Sequence, residues 1–237
     1  MNKITLLFGL MFAMATFAQA QDQTTAAQDG ETLRKRNETD QRVYQIAMRY
    51  NDLPVARMKL IELIERNPTN NRYPELLANL YFEAGQYTSA AVSAMDLLER
   101  NDQSVTGLEI AAYSLEQLGA LDRALPNFER HYLLTGNLFS LYKTGYMQYS
   151  MNRQEEALNS VNMLIKNPKS SDEKIGFPTA NNETQEVSLK AAGLNLKGMI
   201  YMYQKNKAEA IEAIQQALEI NPAFELAKDN LKEAQKM

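Results

Sequence analysis

Apolar positions recur along this chain at helical spacing, broken at regular intervals by turn residues. In "LFSLYKTGYMQYS", residues 138–150, Phe139, Tyr142, Tyr146 and Tyr149 follow one another at spacings of three, four and three and share one helix face. The adjoining line carries Leu141, Gly145 and Gln148, where the glycine leaves room for a second helix to approach. In "VARMKLIELIERNP" the periodic positions are Ala56, Leu60 and Leu63, with Pro68 closing the segment. "AEAIEAIQQALEINP" repeats that arrangement with Ala210, Ile214, Ala217 and Pro222. There is no Val/Ile-rich alternation of the kind that builds a sheet. Ala, Leu, Glu, Gln and Met dominate and glycine is held to 10 residues, so the expected fold class is all-α.

The helices repeat. Ala56, Ala90, Ala124, Ala157 and Ala210 align at intervals of 34, 34, 33 and 53. Twelve residues before each stands Tyr44, Ala78, Ala112, Gly145 or Gly198, and five before stands Asn51, Gly85, Gly119, Asn152 or Lys205. A column of small residues lets paired helices touch, and a column of turn residues closes each pair. Residues 37–222 thereby resemble the tetratricopeptide repeat (TPR) family, whose unit is an antiparallel helix pair of about 34 residues. The last unit matches the pattern most fully. The first departs from it, with Tyr44 in the small-residue column, and no unit has the tryptophan often seen early in the repeat.

The resemblance implies a right-handed α-solenoid of about five helix pairs, with units near 37–70, 71–104, 105–137, 138–168 and 191–222. Second helices are expected near 54–66, 87–100, 121–135, 154–166 and 207–220. Residues 223–237, with Phe224, Leu226, Ala227 and Leu231 on one face, are expected to form a capping helix. The interval of 53 puts an insert at 169–190. Its "KSSDEKIGFPTANNETQE" is rich in turn residues and is expected to be mostly irregular and accessible. Residues 21–36 read as a flexible polar leader, with helix at its end.

In TPR proteins the first helix of each unit lines a concave groove. Carried onto this chain, that implies a candidate peptide-binding groove of Phe82, Tyr113, Phe139, Tyr142, Tyr146, Tyr149, Met199 and Met202. Gly145 is then a packing residue, and Tyr142, Tyr146 and Tyr149 are at least partly accessible. A register slipped by one residue would put part of this aromatic stripe in the core instead. One subclass of TPR domains grips a C-terminal carboxylate with Lys, Asn and Arg; here the early groove sites are Gln41, Gln45, Glu75 and Glu109, and that clamp is missing.

The first twenty residues differ in kind. "MNKITLLFGLMFAMATFAQA" has an early lysine, an apolar run and Ala18-Gln19-Ala20, which predicts a signal peptide cleaved before Gln21 and a periplasmic or secreted product. The run is short for a bilayer span of about 20 residues; an uncleaved anchor is the alternative. A lipoprotein is excluded, since the chain has no cysteine to carry the lipid.

A formal net charge of −4 speaks against a nucleic-acid partner. The lack of cysteine rules out disulfides, a thiol nucleophile and thiolate zinc sites. His131, the sole histidine, falls in a helix-packing column with Leu63, Leu97, Leu164 and Ala217, and reads as structural. Glu155 and Glu156 read as a solvated face. No P-loop, nucleophile elbow or zinc-protease motif occurs. The expectation is no enzyme, no cofactor and no metal site. The function expected is a periplasmic adaptor that binds a peptide segment of a protein partner. The alternatives are a non-catalytic accessory subunit of an envelope enzyme or assembly machine, and a self-associating structural protein that forms a homo-oligomer.

Overall fold

The computed structural model describes residues 30–237. The signal-peptide reading and the start of the leader lie outside the described residues. Helix α1 occupies residues 30–49, so the leader sequence is already helical from residue 30. It is followed by α2 (Leu53–Arg66), α3 (Arg72–Glu83), α4 (Tyr87–Arg100), α5 (Val105–Gln117), α6 (Leu121–Thr135), α7 (Leu138–Ser150) and α8 (Gln154–Lys166). A 3₁₀ turn (Pro168–Ser171) and strands β1 (Lys174–Pro178) and β2 (Thr184–Ser188) lead to α9 (Leu189–Tyr203), α10 (Lys207–Ile220) and α11 (Glu225–Lys236). The fold is all-α apart from the two strands, and its helices follow one another in packed pairs.

The turn column explains the pairing. Asn51, Gly85, Gly119, Asn152 and Lys205 all adopt left-handed backbone, with φ between 57° and 72°. The N–H after each donates back to the carbonyl five residues earlier: Asp52 to Ala47, Gln86 to Tyr81, Ala120 to Leu115, Arg153 to Gln148 and Asn206 to Tyr201. This closes the end of each first helix and turns the chain into the second. Glycine and asparagine tolerate that conformation; Lys205 takes it against its side chain.

The described residues fall into two compact parts divided after Leu77, within α3. In the first part Leu60, Leu63 and Tyr73 form the core, with Tyr44, Ile64, Leu76 and Leu77 packed on it. Buried Asp40 is bound by Lys59 at 3.0 Å and by Arg66. Burial opposes its charge, but the hydrogen bonds and charges of the two cations prevail and hold its carboxyl below the usual range.

In the second part, Ala78, Ala90, Ala94, Ile110 and Ala111 form one cluster, and Ala112, Leu115, Ala124, Leu125, Phe128 and Met147 belong to the next. The largest cluster joins α7 to α11 through Leu138, Val161, Leu164, Leu196, Ile200, Ile214 and Phe224. Alanines of the aligned column are fully buried: Ala56 in the first part, and Ala90, Ala124, Ala157 and Ala210 in the second. The small-residue column is needed sterically. A Cβ on Gly198 would lie 2.3 Å from Ile214 Cγ1, and one on Gly145 would lie 3.0 Å from Val161 Cγ2.

The insert corrects the expectation of an irregular, accessible loop. Its strands pair antiparallel, with Ile175 opposite Val187 and Phe177 opposite Gln185. Cross-strand partners share a face, and this face is turned inward: Ile175 and Val187 are buried and Phe177 is half-buried. The Phe177 ring lies 5.0 Å from that of Phe224, the residue that opens α11. Gln185 Nε2 donates to Ala223 O (2.7 Å) while its Oε1 accepts from Glu225 N (3.0 Å), satisfying a first-turn amide of α11 that the helix's own N-cap leaves open. Ser188 donates to Asn221 Oδ1 through both N and Oγ. The hairpin therefore fixes the junction of α10 and α11.

Candidate functional site

The candidate residues all lie in the second part of the chain, on the first helices of successive pairs. Asn137 caps α7 by accepting from Ser140 N at 2.9 Å, and Ser104 caps α5 by accepting from Gly107 N at 3.1 Å. These caps fix where each helix starts and therefore which residues share a face. On α7 the line of Leu141, Gly145 and Gln148 is buried; Gly145 faces Val161 and Ser160 of α8, and Gln148 Oε1 accepts from Ser160 Oγ at 2.7 Å. The adjoining line carries the aromatics.

Those aromatics form a continuous row from α3 to α7. The Phe82 and Tyr113 rings are 6.4 Å apart, and Tyr113 and Phe139 are 6.2 Å apart. Tyr113 is held from behind by an edge-to-face contact with Phe128 on α6 at 5.0 Å. Phe82, Tyr113 and Phe139 are each half-buried. Between α3 and α5 the surface opens into a cleft of about 360 Å³ lined by Asn79, Phe82, Thr106, Glu109, Ile110 and Tyr113. Burial, then the charges of Glu109 and Glu116, push the Tyr113 hydroxyl well above its ordinary range.

Between α5 and α7 the equivalent space is filled by the chain itself. Lys143 Nζ lies 2.8 Å from Glu116 Oε1 and 5.6 Å from the centre of the Phe139 ring. Neither Glu116 nor Lys143 stands out in the sequence. Their pairing follows only once Gly145 fixes the α7 register.

On α7 the row is interrupted by a buried ring. Tyr142 is 7% exposed: it belongs to the α7–α11 cluster, where the Phe177 ring stands edge-on to it at 6.3 Å. The expectation that Tyr142 is accessible is thus corrected: the hairpin that the sequence left as a loop lies over it. Burial pushes the Tyr142 hydroxyl far up. One turn later Tyr146 is 41% exposed. Tyr149 is half-buried and stands edge-to-face with Tyr203 at 6.5 Å. Met199 and Met202 on α9 are half-buried and pack against the α7–α11 core. Asn195, one turn before Met199, accepts from Asn230 Nδ2 of α11 at 2.9 Å. The structure thus brings Phe82, Tyr113 and Phe139 together in an open row and leaves Tyr146 exposed beyond it. Tyr142 alone of the candidates is buried, while Tyr149, Met199 and Met202 are half-buried.

His131 is buried on α6 with Nδ1 2.8 Å from Ser140 Oγ, joining α6 to α7. Among the described residues no three His, Cys, Asp or Glu side chains come together as a metal would need, and no helix is long and apolar enough to cross a membrane.

Residues 191–224, spanning α9, α10 and the approach to α11, match the tetratricopeptide repeat family. The fold is the TPR fold. The TPR protein YrrB, whose crystal structure is described as having an unusual peptide-binding site, superposes with a TM-score of 0.63 at 17% identity, over 82% of this chain and 89% of that one. The MamA protein gives 0.61 at 15% identity, over 78% and 92%. MamA from Desulfovibrio magneticus RS-1, residues 41 to the end, gives 0.59 at 11%, over 80% and 97%. At such identities the likeness to these TPR proteins is one of fold. No curated protein sequence matches the chain.

Proposed function

We propose that this chain is a non-catalytic TPR scaffold that docks a peptide segment of a partner protein along the open row on α3, α5 and α7. The observation that carries the reading is the row itself. Successive rings of Phe82, Tyr113 and Phe139 lie within 6.4 Å of each other, Tyr113 is braced by Phe128, and all three keep partial exposure. Covering a large apolar side chain gains about 1.5–3 kcal/mol, so three such rings favour an occupant. Rigid aromatics also bind at low entropic cost. The peptide site of YrrB supports the reading by analogy of fold. Export to the periplasm, with cleavage before Gln21, belongs to the proposal on the amino-terminal sequence alone. Intact mass of the exported product tests it: a chain beginning at Gln21 is expected, and a membrane-bound product retaining residues 1–20 would overturn it.

A random-peptide display selection tests the docking. Wild-type protein is expected to enrich peptides with apolar or aromatic residues. The double variant Phe82→Ala/Phe139→Ala, with unchanged helical circular dichroism, is expected to bind them at least about tenfold more weakly, as loss of central aromatic anchors does. Enrichment indifferent to the double variant would overturn the reading.

A further inference from the structure

The row offers two adjacent spaces between first helices, and a cation fills one of them. Between α5 and α7, an ammonium group is held by a carboxylate and an aromatic ring: Lys143 sits 2.8 Å from Glu116 Oε1 and 5.6 Å from the Phe139 centroid. Both interactions favour a cation, and partial shielding from water strengthens them. One repeat earlier, between α3 and α5, rings and a carboxylate again line the space, at other positions of the repeat. Phe82 and Tyr113 supply two rings and Glu109 supplies a carboxylate. The residue aligned with Lys143 is Ile110, whose side chain is buried in the cluster of Ala78 and Ala90. Glu109 is exposed and has neither an ion pair nor a hydrogen bond among the described residues. On α3, Glu83 accepts from Asn79 Nδ2 at 2.9 Å. The cleft is open, with a volume of about 360 Å³.

We propose that the α3–α5 cleft receives a lysine or arginine side chain of the docked segment, its stem against Phe82 and Tyr113 and its charge on Glu109. The chain's own Lys143, held by a carboxylate and a ring one repeat later, shows the chemistry such an occupant meets. The Tyr113 hydroxyl is pushed up mainly by burial, with a lesser contribution from the charges of Glu109 and Glu116. The partner segment is accordingly one that combines a basic residue with aromatic or aliphatic neighbours. This inference rests on the reading of the row as a docking surface.

The test uses peptides enriched from a random library on the wild-type chain, with affinities measured by fluorescence anisotropy. Tight binders are expected to carry a lysine or arginine at a shared position. Replacing it by norleucine is expected to weaken binding by about fivefold or more, as loss of a shielded cation–ring and charge pair does. Glu109→Gln should weaken the lysine peptide similarly and leave the norleucine peptide unchanged, the coupling a direct contact produces. Glu109→Lys should weaken the lysine peptide further. Glu109 is exposed, so neither variant threatens folding. Peptides that lose binding with Phe139→Ala but carry no basic residue, or that ignore Glu109→Gln, overturn this inference while leaving the docking surface standing. Peptides indifferent to Phe139→Ala as well, or no enrichment at all, overturn both.

Discussion

Two stretches of the same row meet opposite fates. On α5, Glu109 stands three residues before the packing residue Ala112 and is exposed; on α7, Tyr142 stands three residues before Gly145 and is buried. The repeat gives both side chains the same direction from their helices. What separates them is a hairpin inserted between the fourth and fifth helix pairs, which lays Phe177 against Tyr142 and ties itself to α11. Repeat position sets where a side chain points, and the insert sets which of those positions solvent reaches. The open stretch is left between α3 and α7, and Tyr142 is the buried interruption on α7.

Removing the cover should be the largest perturbation. Replacing residues 174–188 by a short Gly/Ser linker exposes the inner faces of Tyr142 and Phe224 and takes away buried Ile175 and Val187, so a loss of about 3–5 kcal/mol is expected. Urea unfolding measures it. A variant as stable as the parent would mean that the hairpin is an ornament on the open surface.

The two tyrosines of α7 sharpen the contrast next. Tyr142→Ala should cost about 3 kcal/mol, since it removes a buried ring from a packed cluster, whereas Tyr146→Ala should change stability by less than about 0.5 kcal/mol. Denaturation midpoints of the two variants decide it; equal costs would erase the distinction between covered and open positions.

Much of this was legible beforehand, and the failures have a physical cause. The second helices at Leu53–Arg66, Tyr87–Arg100, Leu121–Thr135, Gln154–Lys166 and Lys207–Ile220 follow the alanine column within one residue of expectation. The left-handed turns fall at the column of Asn51, Gly85, Gly119, Asn152 and Lys205. Both features are set by short-range sterics, which repeat faithfully. The hairpin escaped because its strands carry three apolar residues between them, Ile175, Phe177 and Val187, amid Gly176, Pro178 and a polar turn. Alternation so brief is indistinguishable from loop until a surface is present to bury it. The error on Tyr142 followed from that one. The Lys143–Glu116 pair was hidden for another reason: it joins residues 27 apart on facing helices, and its partners are ordinary helix-surface residues in sequence.

Smaller effects test the helix contacts beneath both stretches. Gly198→Ala should destabilise by about 1–3 kcal/mol, because its Cβ would lie 2.3 Å from Ile214 Cγ1 and the neighbouring helix must yield. Gly145→Ala meets the terminal methyl of Val161 at 3.0 Å and should cost less. Lys205→Gly should stabilise by about 0.5–1 kcal/mol by relieving the left-handed strain at φ 64°. Thermal unfolding of the three variants fixes the order.

The smallest effect concerns pH. Burial raises the Tyr142 hydroxyl above its ordinary value, so the folded chain holds that proton more tightly than the unfolded chain. The resulting stability is fully present below the unfolded tyrosine value of about 10 and is lost as pH rises through the folded one. Tyr142→Phe should leave stability at neutral pH nearly unchanged and soften the loss in alkali. Unfolding midpoints at rising pH follow it; a parent and variant with the same alkaline slope would place Tyr142 in solvent.

Hydroxyl-radical footprinting read by mass spectrometry at single tyrosines measures the open and covered stretches in one experiment. In the intact chain Tyr146 should label readily, Tyr113 to an intermediate degree and Tyr142 hardly at all. With residues 174–188 replaced by the linker, Tyr142 should rise toward the rate of Tyr146 while Tyr113 stays where it was. Labelling of Tyr142 as fast as Tyr146 in the intact chain would contradict the account, because the hairpin would then not be what closes the row.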